Sequence, residues 1–229
     1  MTATTIDSKA SPRAEWLAYA GALLVGTALY IACRFYPADL PVWLPWEFSW
    51  PVYLATVLSL GWFVLGLKRL SKAQHPPLWR SLCFVIGVVS LYAMVQTHID
   101  YYAQHMFFVH RAQQLGLHHV GPFLIALCAA GPCIRAGMPD FLKPVIDSSA
   151  VRRTMDAIQH PAVAPTLFVG LFYFWLIPAI HTRAMLDRNL YDLMNWSMAL
   201  DGIAFWSLVV DPRPKPPARL SSLIRGLMI

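Results

Sequence analysis

Runs of about 20 mostly apolar residues recur along this chain, and they narrow its possible folds more than any other feature. A helix needs about that many residues to cross the ~30 Å hydrocarbon core of a bilayer. Six segments qualify or come close: 16–36, 50–67, 78–96, 101–131, 162–180 and 190–210. Pro37, Pro41, Pro45 and Pro51 punctuate the chain between the first two, and Pro132, Pro139 and Pro144 follow the fourth. No internal repeat is visible. The expected fold is all-α, a polytopic membrane helix bundle forming a single integral membrane domain. Residues 140–160 mix Phe141, Leu142, Val145, Ile146, Val151, Met155 and Ile158 with Lys143, Arg152 and Arg153, which fits a helix lying in the interface on the cytoplasmic side.

Composition agrees. Hydrophobic residues make up 57% and charged residues 13% of the 229, about half the charge of an ordinary soluble domain. That excludes a soluble enzyme, a disordered chain and a coiled coil. The net charge of +6 would suit nucleic acid, but its placement argues otherwise. Lys9 and Arg13 precede the first span. Lys68, Arg69, Lys72 and Arg80 follow the second, Arg135, Lys143, Arg152 and Arg153 the fourth, and Arg213, Lys215, Arg219 and Arg225 the sixth. Fourteen of the 18 basic residues thus fall on one side of a six-span bundle. The positive-inside rule makes that side cytoplasmic, with the N-terminus, in a bacterial inner membrane. Trp43, Trp46 and Trp50 on the opposite side suit a headgroup belt. The charge is accounted for by orientation, and no nucleic-acid partner is needed.

The 4 cysteines lie in or beside apolar runs and read as small helix residues. Cys128 and Cys133 on one continuous helix would point about 140° apart, which argues against a shared soft-metal site. The first apolar run is longer than a signal-peptide core and is expected to remain as a span.

Ionisable groups inside a span are costly and usually face the bundle interior. Five histidines, His98, His105, His110, His118 and His119, fall in one short stretch. On a helix, His110, Gln114 and His118 form one stripe, and His98 and His105 another. His110 and His118 would stand about 12 Å apart along a straight axis, too far to share an ion. A metal site must therefore recruit other helices. His181 and Met185 after the fifth span and Asp201 in the sixth are the available groups. Imidazole with thioether suits copper, and imidazole alone suits haem or zinc. Arg111 needs a partner within the bundle, with Asp201 or Asp100 as the natural carboxylate.

Three blocks resemble the signatures of the CtaG-type cytochrome c oxidase assembly factors, named for the caa-type oxidase. The first is His110-Arg-Ala-Gln113-Gln114-Leu115-Gly-Leu117, followed by Gly121-Pro122-Phe123-Leu124 and Gly131-Pro132. The second is Trp175-Leu176-Ile177-Pro178-Ala179-Ile180. The third runs from Tyr191 to Asn195, then Gly202-Ile-Ala-Phe205-Trp206 and Asp211-Pro212. The resemblance covers about residues 78–215 and implies a membrane bundle of usually about seven spans. A further span after residue 229 would then be expected. The departures are specific. Gln114, Leu176 and Asn195 stand where the signatures have histidine, so only His110 carries over directly as a ligand. His98, His105, His118 and His181 are the substitutes that position suggests.

The resemblance implies a non-enzymatic role: copper bound or delivered to a haem–copper oxidase subunit from the outer half of the membrane. A metal-free scaffold binding an oxidase subunit or lipid is the alternative. A di-haem cytochrome is a third, requiring two facing histidines at matched depth.

Overall fold

A computed structural model describes residues 12–211, together with 220, 226 and 228. Lys9, Arg213, Lys215, Arg219 and Arg225 of the expected inner face, and the expected onset of a seventh span, lie outside the described residues. Within them the chain is helical and has no strand.

The first three helices follow the apolar runs. They are α1 (Pro12–Phe35), α2 (Trp50–Arg69) and α3 (Leu78–Gln96). Each is long and apolar enough to cross a membrane, from Glu15 in the case of α1. Their exposed faces are apolar, as at Leu23, Leu24 and Val25 on α1 and Ile86 and Val89 on α3. Water would not support such faces, whereas lipid does. Tyr53 Oη donates to Ala22 O at 2.7 Å, and Trp62 Nε1 to Tyr19 Oη at 3.0 Å, tying α1 to α2. At one end Arg69 pairs with Glu15.

The fourth segment is not the continuous 101–131 helix that composition suggests. It is α4 (His98–His105), α5 (Phe107–Leu115), a π-helical turn (Gly116–Val120) and α6 (Gly121–Cys128). Met106 is extended (φ −127°, ψ 114°) and separates α4 from α5. No proline or glycine marks that break. Its local correlate is His105, whose Nδ1 lies 2.7 Å from Tyr101 O. A carbonyl only accepts, so this nitrogen carries the proton and caps the end of α4. Ala129 ends α6 in the left-handed region (φ 51°), a conformation that costs a non-glycine residue about 1–2 kcal/mol. The following helix α7 (Gly131–Gly137) turns away by 74°.

α7 packs tightly on α2. A Cβ on Gly66 would collide with the Cys133 carbonyl, and one on Gly137 with the Trp62 carbonyl. Such close backbone approach is how helices associate where burial from water supplies no drive. It also places Cys128 and Cys133 in one apolar cluster with Phe63 and Phe84. The continuous-helix reason for keeping these cysteines apart is thereby overturned.

The stretch expected at the interface forms α8 (Lys143–Ile146) and α9 (Ser149–Ile158). Exposed Arg152 and Arg153 ride α9, which meets α10 (Val163–Leu176) at 71°. α10 stops before Pro178, earlier than the expected 162–180, because proline disfavours helix in the residue before it. α11 (Pro178–Leu186) starts afresh there. Last comes α12 (Arg188–Val209), capped by Asp187 Oδ1, which accepts from Asn189 N at 2.8 Å. Its 22 residues span about 33 Å. Arg188, Asp192 and Asp201 keep it off the set of apolar spans. It is nonetheless the packing axis, with Tyr191, Met194, Asn195, Met198 and Gly202 buried against α6, the π turn, α10 and α11.

Candidate functional site

The polar groups of the bundle gather along α12. Tyr191 and Asn195 lie one turn apart, Asp201 stands about 120° from Asn195 around the helix, and each meets a polar partner from α4, α5 or the π turn. Nearest the start of α12, Asp100 takes three donors. Gln113 Nε2 reaches Oδ1 at 2.8 Å, Tyr191 Oη reaches the same oxygen at 2.9 Å, and Gln104 Nε2 reaches Oδ2 at 3.0 Å. Gln113 Nε2 also donates to Met94 O at 2.6 Å, and its Oε1 lies 3.1 Å from Tyr191 Oη. Asp100 and Gln113 are both buried, so this network supplies the bonds that burial demands. Sequence reading missed Gln113 and Tyr191. Their spacing against the Asp100 region becomes meaningful only once α4 folds back across the break at Met106.

One turn further, Gln114 Nε2 donates to Asn195 Oδ1 at 3.0 Å. Below that, His118 Nε2 and Asp201 Oδ2 share a hydrogen bond of 3.1 Å, while the His118 ring stacks on Phe168 with centroids 4.0 Å apart. The π turn carries His118 and His119. Gly202 lets α12 approach it, since a Cβ there would strike the His118 carbonyl. π-bulges of this sort frequently mark functional sites.

The second feature is a histidine pair. His110 is 1% exposed, and neither of its ring nitrogens has a hydrogen-bond partner. Its ring faces that of His181 on α11, with centroids 5.0 Å apart and planes at 56°. His181 Nδ1 is likewise buried without a partner. Burial and the nearby Arg111 charge both push the His181 pKa down, favouring the neutral ring that can ligate a metal. Met185 stands four residues after His181, on the same face of α11, and packs against the cluster containing Tyr191 and Met194.

The five candidate histidines are therefore not one cluster. His110 and His181 meet. His118 sits with Asp201 and His119, the two histidine rings 4.9 Å apart. His98 packs edge-on against Trp46 at 4.9 Å, and His105 is exposed on the outside of α4. Arg111 does not take Asp201 or Asp100, which are committed to His118 and to Gln113, Gln104 and Tyr191. Its guanidinium lies over the Phe107 ring, 4.7 Å from the centroid. Among the described residues no three His, Cys, Asp or Glu side chains converge as a metal cage.

The sequence model of the cytochrome c oxidase caa3 assembly factor family matches residues 61–229, well over half of the chain. The chain belongs to this family. It is also similar to an uncharacterized protein of Mycobacterium leprae (strain TN), 28% identical over 190 residues, covering 76% of this chain and 28% of that protein. The chain thus spans less than a third of that relative's length. No solved structure matches. Within the matched region Gln114 and Asn195, which the sequence resemblance leads one to expect as histidines, meet as two neutral amides.

Proposed function

We propose that this chain serves the assembly of a haem–copper cytochrome c oxidase in a bacterial inner membrane, with the N-terminus cytoplasmic, by holding copper as cargo between His110 and His181 and handing it to an oxidase subunit. The observation that carries the reading is the meeting of the two rings at 5.0 Å, with both nitrogens of buried His110 and the Nδ1 of half-buried His181 lacking a hydrogen-bond partner. Buried polar groups without partners are rare and call for an explanation. An ion held by two imidazoles lies about 2 Å from each nitrogen, so centroids about 5–6 Å apart suit a shared ion. The thioether of Met185 offers a soft third contact. So few ligands make a weak holder, which suits release by ligand exchange and involves no bond-making on a substrate.

The test is oxidase maturation in cells. With His110→Ala/His181→Ala, the membrane level of the oxidase polypeptides is expected to hold while their copper content and activity fall. Normal copper in the oxidase of those cells would overturn the reading. A metal-free scaffold is the second reading, and the Gln114–Asn195 amide pair favours it. It is selected if His98, His105, His110, His118 and His181 can all be replaced without effect while removal of the chain abolishes assembly.

A further inference from the structure

A cavity of about 330 Å³ runs between α2, α3, α6 and α12, away from the histidine pair. Its walls are apolar, with Val52, Val88, Leu91, Leu117 and Ile125 among them. The hydroxyls of Thr56 and Ser59 make no demand on an occupant, because they bond Val52 O and Thr56 O of their own helix at 2.9 and 3.0 Å. Polar groups gather at one end, where Ser49, Arg188 and Asp192 line the mouth. Ala55 and Leu200 line it too and are exposed, so the groove opens sideways between α2 and α12.

Length and charge identify the occupant. The lining runs from Asp192 to Ile203 on α12 and from Val95 to Phe84 on α3, each about 16 Å at 1.5 Å per residue. One leaflet of the ~30 Å hydrocarbon core is about as deep. The mouth lies beside Trp50 at the head of α2, a residue type suited to headgroup level. Arg188 pairs there with Glu47 through Nη1 and with Asp192 through Nε. Its Nη2 carries two more N–H donors. The three side chains sum to one negative charge. A phosphodiester therefore finds a guanidinium, and a primary ammonium finds the surplus carboxylate.

We propose that this groove is a binding site for one phospholipid, its acyl chain along α12 and its zwitterionic phosphate–ammonium headgroup, as in phosphatidylethanolamine, at Glu47, Arg188 and Asp192. The inference is independent of copper. It is tested by reconstituting the full chain in phosphatidylcholine nanodiscs with a trace of phosphatidylethanolamine carrying a diazirine at its acyl terminus. Crosslinks are expected deep in the groove, at Ile125 and Ile134. A phosphatidylglycerol probe with the same chain should label those residues about fivefold less, the scale of one partly exposed charged contact. Leu200→Trp, a change at an exposed lip, should cut deep labelling, and Glu47→Gln/Asp192→Asn should shift the preference toward phosphatidylglycerol. Labelling confined to outward residues such as Val89 and Leu193 would overturn the proposal, as a groove filled by a protein helix would produce. So would equal labelling by the two probes, or no effect of Leu200→Trp.

Discussion

Single side chains in this bundle are constrained by what their neighbours leave unbonded. Tyr191→Phe removes the Oη donor from a buried carboxylate that Gln113 and Gln104 then satisfy alone. The expected cost is about 1–3 kcal/mol, the penalty for stranding a buried polar group. Tyr102→Phe, at an exposed ring, should stay within about 0.5 kcal/mol. Thermal unfolding of the two variants in detergent compares them directly. The Gln114–Asn195 contact yields a gain-of-function expectation. Histidines at both positions would face each other across a gap now bridged by a 3.0 Å amide bond. Gln114→His/Asn195→His should therefore raise copper affinity measurably over the parent in competition with a chelator, and each single change should do so much less. Equal affinities for parent and double variant would contradict this.

Elements were legible in the sequence where apolar length and proline punctuation agree. α2 and α3 begin where the runs at 50 and 78 begin, and α3 ends where its run ends. The break at Met106 was not legible, because no proline or glycine marks it in the sequence. The early stop of α10 was legible only in hindsight from Pro178. The fit of α7 on α2 was hidden for another reason: glycine spacing on two separate segments acquires meaning only when the segments touch. Gly137→Ala should cost at least about 3 kcal/mol, since overpacking against backbone has nowhere to relax. Gly61→Ala, with open space at its Cβ, should instead gain about 0.5–1 kcal/mol. Tryptophan fluorescence on heating reads both. At the far end of α7, Arg135 donates to Asp147 and holds that carboxyl below its ordinary value. Such a group contributes stability above the ordinary carboxylate range and loses it as pH falls through the lowered value. Asp147→Asn should therefore melt slightly below the parent at neutral pH, and the two should converge in acid.

For the molecule as a whole, composition announced a membrane bundle, and the family match and helical architecture bear that out. The candidate site was partly legible. His181 and Met185 stood out as the groups a distant helix had to supply, and the fold brings His181 to His110. His98 and His105 stood out equally, yet α4 carries them to Trp46 and to an exposed surface. Helical spacing alone does not register a chain break. The central claim is that His110 and His181 jointly hold one copper ion, and X-ray absorption at the copper edge of purified, Cu(I)-loaded protein tests it most directly. Two imidazole nitrogens at about 2 Å, with a sulfur added by Met185, and loss of the ion in His110→Ala/His181→Ala are the predicted results. Copper retained unchanged by that double variant, or no copper held by the parent, would contradict the account.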